Sequence, residues 1–205
     1  MHNPSLHPIA ARWAAPGELF VITKKNKMKY ERLKTNSEEK IKQLFIDVFT
    51  ASEGSDEGAL IGSLVENLQK TTKPEDIFCF VATENNEIVA SVFFTRFLTE
   101  TTTKAFILSP AAVATTHQKK GIGQNLIKYA IDYLKQNSVE LLITYGDINF
   151  YSKVGFENIT EDIIKAPLTL SYPNGWLAQS LSDKKIKPIQ GSTMCVSALM
   201  NQKYW

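Results

Sequence analysis

Two stretches of the chain set residues where they could do chemistry. The first is Gln118-Lys119-Lys120-Gly121-Ile122-Gly123-Gln124. An apolar run, Ala105-Phe106-Ile107-Leu108, precedes it, and a helical apolar period follows it. A loop between a strand and a helix N-terminus suits phosphate. The first helical turn leaves backbone N–H groups without internal partners, and the macrodipole makes that end positive. Gly121 and Gly123 remove side chains that would keep an anion from the backbone. Gln118 can donate an amide hydrogen, and Lys119 and Lys120 add charge. The second stretch is Phe150-Tyr151-Ser152-Lys153-Val154-Gly155-Phe156. A tyrosine phenol, with its pKa near ~10, stays protonated at neutral pH and can donate to a leaving group.

Each stretch has a plainer reading. Gly-x-Gly alone is a flexible turn, and a lone tyrosine is a half-buried aromatic with a wet hydroxyl. Position in the chain strengthens the first, because strand, loop and helix are the context phosphate binding requires. Two other phosphate motifs fit poorly. A P-loop needs Gly-Lys-Ser/Thr, and Gln124 follows Gly123. A dinucleotide fingerprint needs a third glycine where Leu126 stands.

The elements that must position these residues follow from periodicity. Met28–Leu33 reads as a strand. Thr35-Asn36-Ser37-Glu38 carries a capping-box pattern ahead of a helix through Ile41, Leu44, Phe45, Val48 and Phe49. Residues 51–58 read as a loop and 59–70 as a second helix. Strands at 77–82 and 88–94 flank a polar turn, 84–87. Ile122, Leu126, Ala130, Tyr133 and Leu134 share one helical face. Leu141–Tyr145 is a buried-type strand, and residues 151–154 form a short helix ended by Gly155. The tail after Ile163 supplies one or two further strands. The fold class is α/β (α+β), with a mixed, mostly antiparallel sheet and helices on both faces.

The spacing Gln118-x-x-Gly121-x-Gly123 resembles the coenzyme A pyrophosphate loop of the GCN5-related N-acetyltransferases (GNAT). The stretch 150–156 is similar to that family's Phe-Tyr-x-Lys-x-Gly-Phe signature. Gly146-Asp147 and the C-terminal Asn201-Gln202-Lys203-Tyr204-Trp205 resemble a bacterial branch of predicted N-acetyltransferases. The resemblance is clear over residues 28–160 and weaker beyond. It implies an acetyl-CoA-dependent N-acetyltransferase with Tyr151 as general acid. It also implies that the cofactor is bound by Ala111, Ala112, Val113, Gln118, Lys119, Lys120, Gly121, Ile122, Gly123 and Gln124. Pro110, which lacks an N–H, could mark the place where two strands part. The acceptor would be an amine of a small molecule or a protein. Many members carry an asparagine about seven residues before the tyrosine, where this chain has Thr144. A non-catalytic acyl-CoA sensor or scaffold is the competing reading, and the retained Tyr151 argues against it.

Composition bounds the rest. The 205 residues are 43% apolar and 21% charged with net charge +2, ordinary for a globular chain. Neither a nucleic-acid nor a membrane partner is implied. Residues 1–27 contribute a net +3, which leaves −1 for the rest. They read as an extension outside a single domain, 28–205, and Lys24-Lys25-Asn26-Lys27 reads as a solvated linker. Two cysteines and no secretory signal fit a reducing, cytoplasmic setting. No residue spacing suggests a metal. Glu53, Asp56, Glu57 and Glu66 could form an acidic rim for a cationic amine, although acids in a first helical turn are more simply explained by the dipole. His117 reads as an exposed loop residue. A monomer or homodimer is expected.

Overall fold

The computed structural model describes residues 27–33, 37–182 and 185–205. The expected extension, apart from Lys27, lies outside them, as do Thr35 and Asn36 of the expected capping box. The chain order is β1 (Lys29–Arg32), α1 (Glu38–Glu53), α2 (Ser55–Thr71), β2 (Ile77–Glu84), β3 (Glu87–Thr99), β4 (Ala105–Val113), α3 (Ile122–Gln136), β5 (Leu141–Tyr145), α4 (Ile148–Tyr151), β6 (Glu157–Asn158), β7 (Trp176–Ser180) and β8 (Thr193–Cys195).

The strands form one sheet in the order β1-β2-β3-β4-β5-β7-β6, with β8 paired to the far end of β3. Every pair is antiparallel except β4 with β5, which is parallel. That parallel pair follows from the crossover through α3. Two buried clusters lie on opposite faces. On one face Ile41, Phe45, Leu64, Val65 and Leu68 of α1 and α2 pack against Phe93, Ile107 and Ile143. On the other, Leu126, Ile127, Ala130 and Leu134 of α3 pack against Phe80, Phe94, Phe106 and Leu142. Successive strand residues face opposite sides, so Phe93 and Phe94 serve different cores. Burying each such side chain contributes roughly 1.5–3 kcal/mol.

The expected loop at 51–58 is a correction. Helix α1 runs to Glu53 and α2 starts at Ser55, with only Gly54 between them. Gly54 has φ +101°, a conformation that turns the chain in one residue. The small and acidic residues that suggest a loop lie on solvated helix faces, where period is hard to read. Asp56 and Glu57 occupy the first turn of α2, which suits its dipole. The N-cap of α1 is Ser37, without a side-chain cap bond.

The tail supplies β7 and β8 and closes the α1–α2 face. Ile159, Ile164, Leu170, Trp176, Leu199 and Trp205 join that core. The Trp176 indole donates to the Ile164 carbonyl at 2.8 Å, and the Trp205 indole donates to the Leu199 carbonyl at 2.8 Å. No helix among the described residues is long and apolar enough to cross a membrane.

Candidate functional site

The site starts where β4 and β5 separate. Their pairing runs from Ala105↔Leu141 to Leu108↔Thr144, while β4 continues to Val113. The β3–β4 register shifts between Val92↔Ala111 and Phe94↔Leu108, so Ser109 and Pro110 form a bulge at the parting point. Beyond it, β4 pairs only with β3. Ala114 donates to the Val89 carbonyl at 2.8 Å. Antiparallel alternation then turns the backbone of Ala112 toward Ser91 and that of Ala111 and Val113 into the gap. Of the three residues expected to hold the cofactor here, two turn backbone groups into the gap, the Val113 carbonyl there already accepting from the Gln118 amide. Ala112 lines the gap without presenting its backbone.

The gap opens into two adjoining cavities. One, of about 620 Å³, is lined by Ala111–Val113, His117–Lys119, Gly121–Gln124, Phe150, Lys153 and Val48. The other, of about 240 Å³, contains Ala111–Val113, Gly123, Phe150, Asp147 and Tyr151. The structure therefore gathers nearly all the sequence-selected residues around one opening. Gly121 is the N-cap of α3 at φ +76°. A Cβ on Gly123 would come within 3.1 Å of Val113 and 3.5 Å of Phe150, so glycine lets the helix start sit against β4. Ile122 is buried on the core face of α3 and can offer only its backbone.

The loop side chains divide by engagement. The Gln118 amide donates to the Val113 carbonyl at 3.0 Å. Lys120 donates to the Thr116 carbonyl at 2.9 Å and does not line the larger cavity. Lys119, at φ +60°, does line it and makes no ion pair among the described residues. His117 corrects the expectation of an exposed loop residue. Its Nε2 lies 3.0 Å from Glu84 Oε2, its Nδ1 lies 2.8 Å from Thr116 Oγ1, and its side chain is 21% exposed.

Tyr151 ends α4. Asp147 caps that short helix, its Oδ1 accepting from the Asn149 backbone at 2.9 Å and the Asn149 amide at 3.0 Å. Asn149 is therefore engaged locally. Gly146 gives the tyrosine ring room, since a Cβ there would lie 2.8 Å from Tyr151 Cε2. These contacts explain the Gly-Asp pair that the sequence offered only as a resemblance. Burial pushes the Tyr151 phenol above its ordinary value, with a smaller opposing effect from the Thr144 hydroxyl. Thr144 is fully buried at the last β4–β5 pair and donates to the Leu108 carbonyl at 3.0 Å. Sequence reading noted it only as a departure. Strand alternation and the position of the split are what give it a place beside the phenol.

The expected acidic rim is not one unit. Glu66 bridges the two helices, 2.6 Å from Lys42 and also bonded to Lys70. These partners hold its carboxyl down at about 2. The cysteines supply no nucleophile. Cys79 and Cys195 are unpaired thiols pushed up to about 12 by burial, and neither lines the two cavities.

Residues 75–158 match the family described as "Acetyltransferase (GNAT) domain". The uncharacterized N-acetyltransferase YjhQ of Escherichia coli K12 is 28% identical over 134 residues, 62% of this chain and 72% of that protein. Over the matched stretch the chain is thus similar in sequence to GNAT acetyltransferases. Its fold is similar to a GNAT acetyltransferase from Brucella melitensis, solved with acetyl-CoA (TM-score 0.66, 18% identity, covering 84% of this chain and 98% of that one). It is also similar to E. coli YhbS, solved with CoA (TM-score 0.69, 18% identity, covering 82% and 89%).

Proposed function

We propose that this chain is an acetyl-CoA-dependent acyltransferase that moves the acetyl group to an amine by direct attack, with Tyr151 as general acid. The observation that carries the reading is the shared opening: the free β4 edge, the α3 N-terminus and the Tyr151 phenol all border it. Ala111 and Val113 offer backbone groups to the amides of the pantetheine arm, as an added strand would find them. The N–H groups at Gly121–Gln124, with Gln118 and Lys119, receive the pyrophosphate.

The chemistry then balances. A neutral amine attacks the thioester carbon and a C–N bond forms. The C–S bond breaks, and the sulfur keeps the electron pair and takes the Tyr151 proton. The proton shed by the new amide nitrogen restores the phenol. The buried phenol is protonated at neutral pH, the form the acid role requires. The absence of a cysteine from the cavity lining supports direct attack over an acetyl-enzyme. The acceptor class is an amine of a small molecule or a protein.

The test is Tyr151→Phe, assayed with acetyl-CoA and a panel of primary amines. Turnover should fall by about 10²–10⁴-fold while acetyl-CoA affinity stays near wild type. Unchanged turnover would remove Tyr151 from the mechanism. Acetyl-CoA binding without turnover of any amine by the wild type would favour a sensor.

A further inference from the structure

Lys153 has no part in the steps above. It lies two residues past Tyr151, in the 3-10 turn Ser152–Val154. The backbone around it is fixed. The Tyr151 N–H donates to the Asp147 carbonyl at 3.1 Å, the Gly155 N–H to the Ser152 carbonyl at 3.1 Å, and the Phe156 N–H to the Tyr151 carbonyl at 3.2 Å. Val154, next in the chain, is buried in the core on the α3 face. Lys153 itself stays exposed and makes no ion pair among the described residues.

Its neighbours place it at the α3 end of the opening. Phe150, three residues earlier, lies 3.5 Å from where a Cβ on Gly123 would stand, so α4 abuts the start of α3. Lys153 lines the larger cavity together with Phe150, Lys119 and Gly121–Gln124. Among the described residues that lining holds two lysines, 119 and 153, and no carboxylate, whereas Asp147 lines only the smaller cavity. The two lysines come from different elements, and the positive end of α3 lies beside them. Such a cavity fits a ligand with at least two negative charges. We propose that Lys153 is a second cationic binding residue for the diphosphate of the donor. It reaches the ligand from the turn after Tyr151, and Lys119 reaches it from the loop before α3. This inference rests on the acetyl-CoA reading above and deepens it.

The test separates charge from packing. In calorimetric titrations with acetyl-CoA, Lys153→Ala should weaken binding by about three- to ten-fold and Lys153→Glu by about ten- to a hundred-fold. Both losses should shrink as salt rises from about 50 mM to about 500 mM, because screening weakens an exposed charge contact. Lys128→Glu makes the same charge change at an exposed position of α3 outside both cavities, and should stay within about two-fold of wild type. Acetyl-dephospho-CoA keeps the diphosphate and lacks the ribose phosphate, so it should show the same Lys153→Ala loss. Lys153→Ala and Lys153→Glu binding like wild type, or a loss that salt does not change, overturns the proposal. So does a Lys128→Glu loss equal to that of Lys153→Glu. A Lys153→Ala loss seen with acetyl-CoA and absent with acetyl-dephospho-CoA also overturns it, because the lysine would then serve the ribose phosphate. No binding of acetyl-CoA to the wild type would sink the donor reading itself, a result distinct from the others.

Discussion

At the residue scale, two adjacent lysines illustrate how side-chain engagement separates candidates that a sequence leaves equal. Lys119 and Lys120 both follow Gln118, and either could neutralise a phosphate. Lys120 is bonded to the Thr116 carbonyl, whereas Lys119 faces the cavity. Lys119→Ala should raise the KM for acetyl-CoA by about three- to ten-fold, the scale of one partly solvated charge contact. Lys120→Ala should change it by less than about two-fold. Steady-state kinetics with acetyl-CoA varied checks both. Equal effects would mean that the loop rearranges on binding. The same scale shows what the sequence could not disclose. Gln118 was readable as a donor, but its acceptor, the Val113 carbonyl five residues back, depends on how the loop folds against β4. His117 read as exposed because its partner, Glu84, lies on β2, 33 residues earlier in the chain.

At the element scale, what positions the site is the parting of β4 from β5 over the start of α3. The α3 period was legible because one face is consistently apolar and strand runs bounded it. The split was legible only as a proline at the right place, since the register shift that creates it is a pairing fact between Val92 and Phe94 of β3 and residues 108–111 of β4. The α1–α2 junction was misread because the small and acidic residues of 51–58 look like a loop, whereas a one-residue turn at Gly54 leaves them on solvated helix faces. That junction has its own test. Glu66, held at about 2 by Lys42 and Lys70, has a folded pKa below its ordinary 4.5. A depressed carboxyl pKa contributes stability that is present above the unfolded value and lost as pH falls through the folded one. Wild type should therefore lose Tm relative to Glu66→Gln between about pH 5 and pH 2, and the two melting curves should converge at the acid end. Parallel curves across that range would show that the bridge contributes nothing.

At the scale of the whole molecule, the tail turns a sheet with one open face into a closed fold. Trp176 is fully buried and joins β7 to the α1–α2 core, with its indole 5.9 Å from that of Trp205. Tyr145, one residue before Gly146, stacks on Trp205 at 6.2 Å. The far end of the chain thus supports the turn that carries Tyr151. Trp176→Ala should cost about 3–5 kcal/mol in denaturant unfolding. Sequence reading recognised that the tail held strands but not where they pair, because β7 joins β5 and β6 across chain separations no local pattern records.

We propose that acetyl-CoA lies in the β4–β5 gap with its phosphates on the α3 N-terminus. Calorimetric titration of acetyl-CoA into wild type and Gly123→Glu tests it most directly. A side chain at 123 would meet Val113 and Phe150 and place a carboxylate at the helix start. Saturable binding to wild type, and none to a folded Gly123→Glu variant, is the predicted result. Equal affinity of the two proteins would contradict the account and place the cofactor elsewhere.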